Sequence, residues 1–361
     1  DDAKTQRARC PSKTFVKADG LPPPKAFADS ITADHAIVNE EDQSRNHDRV
    51  SLVIQDGFTN WLQAFPAKSK NHSETKLAFQ RFLPPGVKPK YVYTDAAPEL
   101  KLAFAELEYP ADAATPHRPE TNGVAERAGR RVKEGTSCAM IQSGWDYIWW
   151  DLGQNAYCFL RNVVDEQRSG HTSYFARFGE DFRGPIIPFG AEVSYKPITQ
   201  KDVDRLHKYG SKMLQGIFLG YEQKVGGGWS GNLFVADWDN IENADAPCDI
   251  YPKTINAKEV QPIKLDSKFR FPLAEGALRQ PDAEGKSKRG RKAGGTNSHA
   301  DREVSPISEE DIHTDDSAAV PMEVDDDSST CKDTWTLRGD ALVRLHVTPR
   351  SSLFSPGDDC P

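Results

Sequence analysis

The chain is 361 residues long, enough for two ordinary domains or for one domain with extended segments. It is 37% hydrophobic and 28% charged, and its apolar residues crowd into the first two thirds, so folded domains followed by a disordered tail are expected. It contains no apolar run of the roughly 18 residues a membrane span needs, and Asp1-Asp2-Ala3-Lys4-Thr5 lacks the basic-then-apolar pattern of a secretory signal, so a soluble intracellular chain is expected.

Cys10, Cys138, Cys158, Cys248, Cys331 and Cys360 form no C-x-x-C pair, which argues against a disulfide framework or a cysteine zinc site and for reduced thiols. The net charge of -8 would by itself disfavour a nucleic-acid partner. The charge is segregated, however: much of the negative excess lies between Asp301 and Asp327, while Arg127 to Lys133 and Lys286 to Lys292 are basic.

Residues 1–27 are basic and proline-rich and read as a linker stiffened by Pro22-Pro23-Pro24. Ile31 to Val38, Val50 to Ile54 and Asn60 to Phe65 are short apolar or β-branched runs separated by polar turns, which predicts an antiparallel meander. Ser73 is the expected cap of a helix carrying Leu77, Phe82 and Leu83 on one side and stopping before Pro84-Pro85-Gly86. A strand at Lys90 to Thr94 ends on Asp95, and Leu100, Ala103, Phe104 and Leu107 give a helix over Pro98 to Leu107. Beyond a proline-rich stretch, a long helix is expected from Thr121 to Ile141 and an aromatic-rich one from Tyr147 to Val164.

After Gly184-Pro185 the pattern changes to short apolar runs, such as Gly216-Ile217-Phe218-Leu219-Gly220-Tyr221 and Leu233 to Trp238, cut by Gly226-Gly227-Gly228; a small all-β barrel is expected. From Pro262 to Lys332 the chain is charged and poor in hydrophobics, and no structure is expected there. Thr334 to Leu337 and Ala341 to Leu345 form a last ordered-looking patch.

Asp34 falls inside the first strand, Asp95 at the end of the fourth, and Glu126 in the first turns of the long helix. With Val124, Ala128 and Val132 as its buried stripe, the helix turns Glu126 outward at about 100° per residue, beside Arg130 and Lys133. Three carboxylates from separate elements suit hard divalent ions, and two such ions can clamp the attacking and leaving oxygens of a phosphoryl displacement. Spacing alone does not single out this trio in a chain with 54 acidic residues.

Thr115-Pro116-His117-Arg118-Pro119-Glu120-Thr121-Asn122-Gly123-Val124-Ala125-Glu126-Arg127 does, because it closely resembles the signature of retroelement integrases. Tyr93-Thr94-Asp95 and Ile31-Thr32-Ala33-Asp34-His35 resemble the strands bearing the other two carboxylates. Phe189-Gly190-Ala191-Glu192-Val193 with Gly216 to Tyr221 is similar to the SH3-like module that comes after the core in copia-type LTR retrotransposon Pol polyproteins. The resemblance implies an RNase H-like core, a mixed five-stranded sheet with flanking helices, then a small SH3-like β-barrel and a largely disordered tail. The expected boundaries are 1–27 for a linker remnant after an N-terminal zinc module, 28–170 for the catalytic core, 185–260 for the SH3-like domain, 261–332 for a charged linker and 333–361 for a short C-terminal segment.

Carried over residue by residue, the resemblance makes Asp34, Asp95 and Glu126 catalytic ligands of two Mg²⁺ or Mn²⁺ ions, with no zinc site in this chain. It places Asn122 and Gly123 near the scissile phosphate, and Arg127, Arg130, Arg131 and Lys133 as DNA contacts, with a solvated basic face as the alternative for each of the four. His117 is a weaker neighbour of the site. The implied activity joins cDNA 3′ ends to target DNA, in a homo-oligomer that acts in the nucleus after a cytoplasmic particle stage and needs no membrane.

Two departures qualify the match. Asp95 is followed by Ala96-Ala97-Pro98, where the family places Asn and a small residue, and the interval from Asp95 to Glu126 is shorter than usual. The zinc module is represented only by Gln6-Arg7-Ala8-Arg9, which resembles the stretch just after its last cysteines. A catalytically inactive, decayed integrase that still binds nucleic acid is therefore the alternative, and an RNase H-type nuclease the third reading. Lys288-Arg289-Gly290-Arg291-Lys292 reads as an import signal, a minor-groove hook or a plain basic patch. Trp149, Trp150, Phe159 and Leu160, and likewise Tyr221, Trp229 and Trp238, read as packing residues before they read as base-stacking ones.

Overall fold

The computed structural model describes residues 23–38, 42–95, 97–113 and 123–282, together with the backbone of 334–338 and 341–345. The proposed import signal, the acidic run from Asp301 to Asp327, and residues Cys10, Cys331 and Cys360 lie outside the described residues. Cys138, Cys158 and Cys248 are free thiols. No helix among the described residues is long and apolar enough to cross a membrane.

The first sheet holds five strands, β1 (Ile31–Ile37), β2 (Val50–Asp56), β3 (Leu62–Ala67), β4 (Val92–Thr94) and β5 (Ala111–Ala113), in the order β3-β2-β1-β4-β5. The meander β1-β2-β3 is antiparallel, whereas β4 joins β1 and β5 joins β4 in parallel. This is the mixed five-stranded sheet the resemblance implied. The third strand starts two residues later than expected and takes in Pro66, tolerated because β3 is an edge strand.

The parallel strands are linked through helices, as their geometry requires. Helix α1 (His72–Phe82) leads into β4, and α2 (Pro98–Leu107) leads from β4 into β5. Asn71, not Ser73, caps α1: its side chain accepts the Glu74 N–H at 2.8 Å, while Ser73 lies within the first turn. Thr75, Ala78, Phe79 and Phe82 form the buried side of α1, and Leu77 is 48% exposed, so the expected face is turned by about one residue. Phe79 packs edge-on against Phe104 of α2, with ring centroids 5.0 Å apart.

Helix α3 (Gly123–Ser143) lies across β1 and β2, and a 3₁₀ turn at Tyr147–Trp149 leads into α4 (Trp150–Val164). Ala125, Ala128 and Val132 face the sheet; Val124 is 49% exposed and does not belong to the buried stripe. The small side chains at 125 and 128 let the helix approach Val53, Leu62 and Ala64, with Ala128 and Val132 joining that cluster. Where α3 meets α4, a Cβ at Gly135 would collide with the Tyr157 ring.

Helix α4 covers the open edge of the first sheet. The buried Asn162 accepts the Leu62 N–H at 3.0 Å and donates to the Leu62 carbonyl at 2.7 Å, standing in for a neighbouring strand. Trp149 and Phe159 are each 1% exposed, in agreement with a packing role, and half-buried Trp150 donates its Nε1–H to the Asp42 carbonyl.

The other side of α4 receives a second five-stranded sheet, entirely antiparallel, of β6 (Glu192–Tyr195), β7 (Leu214–Gln223), β8 (Trp229–Asp237), β9 (Lys253–Asn256) and β10 (Val260–Pro262) in the order β10-β6-β7-β8-β9. Gly226 and Gly227, at φ 90° and 83°, form the β7–β8 turn that the glycine run predicted. Tyr221 stacks on Phe159 of α4 at 4.4 Å, and one hydrophobic cluster contains Ile31 and Leu52 from the first sheet and Val193, Phe218 and Leu233 from the second. The two sheets thus share a core through α4. Among the described residues no pairing joins β10 to β9.

A short hairpin of β11 (Lys264–Leu265) and β12 (Lys268–Phe269) extends the described chain beyond Pro262, where no structure was expected. A second hairpin, of β13 (Thr334–Arg338) and β14 (Ala341–Leu345), forms the last ordered patch.

Candidate active site

Strand alternation sorts the residues of β1 between the two faces of the sheet. Ile31 and Ala33 enter the main core, whereas Asp34 pairs with Val53, whose side chain packs with Ala128 and Val132 of α3. Asp34 therefore lies on the α3 face. In the parallel pair β1–β4, Ile31, Thr32 and Ala33 are in register with Val92, Tyr93 and Thr94. One residue beyond the last pair come Asp34, still within β1, and Asp95, just past the end of β4, on chains that the sheet holds about 4.8 Å apart.

Glu126 is exposed in the first turn of α3. With the buried stripe starting at Ala125, it sits about 100° from that residue, on the shoulder of the buried face. It therefore lies closer to the sheet than a stripe through Val124 would place it.

Two of the carboxylates act on the third. Burial first, and then the charges of Asp95 and Glu126, raise the Asp34 carboxyl to about 6, against the opposing His35 backbone N–H and Lys70 charge. Asp95 also shapes its own turn, its Oδ1 accepting the Ala97 N–H at 3.4 Å, which supplies part of what Ala96-Ala97 cannot. In chemistry the donor set fits a hard divalent ion: three oxygen ligands on three elements, with a charge repulsion that a cation would relieve. In spacing it is open, because no three ligating side chains among the described residues stand close enough to enclose an ion.

Two further residues border the triad. Lys70, in the loop after β3, is a cation whose charge lowers the pKa of Asp34. His35 points away from Asp34 along the strand; its Nε2 lies 3.4 Å from Thr75 Oγ1, its Nδ1 is buried without a partner, and burial followed by Lys70 lowers its pKa. Only three-dimensional proximity brings Lys70 in.

The basic residues of α3 divide between two sides. Lys133 lines a groove with Ala36 and Val38, beyond Asp34 on β1, and exposed Arg130 shares that side with Glu126. Arg127 and Arg131 line a different groove, toward residues 161–173. Gly123 opens the helix, and its carbonyl accepts the Arg127 Nε–H at 2.8 Å. Asn122 and His117 lie outside the described residues.

No protein-family model and no curated protein matches the chain. Among solved structures it is similar to a chain of the simian T-cell lymphotropic virus intasome in complex with PP2A regulatory subunit B56 gamma, at 14% identity over 68% of this chain and 82% of that one, TM-score 0.37. It is also similar to the HTLV-2 integrase catalytic core domain in complex with magnesium (trimeric form), at 16% identity over 42% of this chain and 97% of that one, TM-score 0.34. The catalytic core domain of BIV integrase is similar at 17% identity over 41% of this chain and 91% of that one, TM-score 0.31. At these identities and TM-scores the likenesses stand beside the site geometry and add no weight to it.

Proposed function

We propose that the chain is the integrase region of a copia-type LTR retrotransposon polyprotein, with an RNase H-like catalytic core at 28–170 and an SH3-like module at 185–260, and that it joins cDNA 3′ ends to target DNA. The observation that carries this reading is the register of β1 against β4, which sets Asp34 beside Asp95 on the face covered by α3, with the charges of both Asp95 and Glu126 acting on Asp34.

In this reading Asp34, Asp95 and Glu126 hold two Mg²⁺ or Mn²⁺ ions, which when bound supply charge neutralisation for an in-line phosphoryl displacement. Asp34 and Asp95 orient from a rigid sheet, and Glu126 approaches from the helix above. Arg130 and Lys133 hold the phosphate backbone in the groove beside them. The DNA 3′ hydroxyl loses its proton and bonds to the target phosphorus, and the departing 3′ oxygen takes a proton, so one phosphodiester replaces another. The proposal extends to a homo-oligomer acting on DNA in the nucleus after a cytoplasmic particle stage.

A second reading is a decayed integrase that binds DNA without joining it, favoured by the open spacing of the carboxylates and by Ala97 following Asp95 so closely. A strand-transfer assay with blunt donor duplexes, target DNA and Mn²⁺ separates the two. Joined products that vanish in Asp95→Asn and Glu126→Gln support the enzyme; binding without joining supports the remnant.

A further inference from the structure

The groove on the far side of α3 has no part in the triad. Its charged lining comprises Arg127 and Arg131 of α3, Arg161 of α4, and Arg168 from the following loop, against Asp165 and Glu166. Four guanidiniums against two carboxylates leave it positive in a chain whose net charge is -8. Asp165 and Arg161 are paired with each other, Oδ2 lying 3.9 Å from Nε, which leaves Arg127, Arg131 and Arg168 against Glu166. Arg127 and Arg168 are exposed. Arg127 and Arg131 stand one helical turn apart, about 6 Å along the axis, and so present two planar donors in a row.

The floor of the groove is built rather than incidental. Arg161 donates to the Asn60 carbonyl at 3.1 Å, Gln55 donates to Asn60 at 3.2 Å, Asn60 donates to Gln167 at 3.0 Å, and Gln167 in turn donates to Ser173 at 3.1 Å. This chain of bonds fixes the turn that carries Arg168 against the β2–β3 connection. The arginines are thus mounted on two helices and a cross-braced loop, which lowers the ordering cost of binding a polyanion.

At about 100° per residue, Arg127 and Arg131 project well around the helix from Lys133, so one straight duplex cannot lie in both grooves by following one face of α3. We infer that the groove of Arg127, Arg131, Arg161 and Arg168 is a second DNA track, which holds the phosphate backbone of a duplex other than the one crossing Asp34, Asp95 and Glu126. The inference rests on the DNA-binding part of the proposed function and not on the joining step. A protein that joins two DNAs must hold both at once, and a groove on each side of one helix, the far one lined by arginines, provides for that.

The test uses the full chain in EDTA, so that binding is read without chemistry, with one short duplex carrying a donor dye and a second carrying an acceptor. The parent is expected to bring the two together and show energy transfer. In the double variant Arg127→Glu/Arg168→Glu, duplex affinity falls by about tenfold or more, the plot of log K against log salt flattens by about 2, and energy transfer is lost. The conservative pair Arg127→Lys/Arg168→Lys keeps the salt slope, and unchanged melting of both variants shows that they fold. An unaltered salt slope and unaltered energy transfer in the charge-reversed variant overturn the inference. The two readings separate cleanly: a parent that binds both duplexes through this groove but never joins them with Mn²⁺ contradicts the enzyme and leaves the track. A parent that joins DNA and whose charge-reversed variant binds both duplexes as before contradicts the track and leaves the enzyme.

Discussion

Ala33 and Thr94 face one another across the parallel pair β1–β4, and this one register determines which carboxylates meet. A slip by one residue would turn one of the aspartates to the opposite side of the sheet, because successive side chains alternate. The strands are held in this register by their buried residues: Ile31, Ala33 and Val92 all lie in the main core, so the packing that stabilises the fold also aligns Asp34 with Asp95.

The alignment costs stability when the carboxylates are ionised. Asp34 titrates near 6 in the folded chain against 3.8 as its ordinary value. A raised pKa means that the folded state holds the proton more tightly. The contribution to stability is therefore greatest below about pH 4 and is lost as pH rises from there through 6. Asp34→Asn in EDTA is expected to melt higher than the parent near pH 8, by an amount equivalent to about 1–2 kcal/mol, and to lose that advantage near pH 4. Asp151, also raised to about 6, is present in both proteins and cancels in the comparison. Added Mn²⁺ should raise the melting temperature of the parent and leave that of Asp34→Asn nearly unchanged. Melting curves that differ equally at both pH values would contradict the coupling.

Asn162 makes a separate prediction about the edge of the sheet. Asn162→Ala strips partners from both the N–H and the carbonyl of Leu62 in a buried place and should destabilise the fold by about 2–4 kcal/mol in urea unfolding. Asn162→Asp keeps the acceptor but buries a carboxylate against the Leu62 carbonyl oxygen, so at neutral pH it should destabilise at least as much as the alanine variant. A loss below about 0.5 kcal/mol for the alanine variant would mean that water replaces the clasp.

At Gly135 two effects oppose one another. Alanine there gains about 1 kcal/mol of helix propensity, yet its methyl would strike the Tyr157 ring where α3 crosses α4. Overpacking of this kind costs typically about 1–3 kcal/mol, so Gly135→Ala should destabilise on balance. Gly135→Ala combined with Tyr157→Ala should recover part of the loss, which a double-mutant cycle measures.

Much of the first sheet is legible in the residues themselves. The β-branched and apolar runs of β1 and β2 mark those strands, and Pro98 with Leu100, Ala103 and Phe104 marks α2 within its observed bounds. What pattern reading misses has physical causes. Asn71 and Ser73 are both good caps, and only the bond to Glu74 decides between them. Val124, Ala128 and Val132 mimic a buried stripe, but close approach to the sheet favours the smaller Ala125. Strand β5, Ala111-Asp112-Ala113, has no β-branched residue and exists through its pairing with β4.

The site divides in the same way. Asp34, Asp95 and Glu126 are marked by the motifs around them. Lys70 acts on Asp34 from a loop, and Arg161 and Arg168 join Arg127 only when α4 and its following turn pack beside α3, contacts too distant in sequence to leave a local trace.

The most direct test of the central claim is a strand-transfer assay on the full chain with blunt donor DNA, target DNA and Mn²⁺, run beside Asp34→Asn, Asp95→Asn and Glu126→Gln. Joined products from the parent, with at least a hundredfold loss in every single variant and unchanged DNA affinity in EDTA, are predicted; each carboxylate serves the same transition state, so removing any one should forfeit about 3 kcal/mol or more. Joining that survives any one of the three substitutions, or a parent that binds both DNAs and joins neither, would contradict the account.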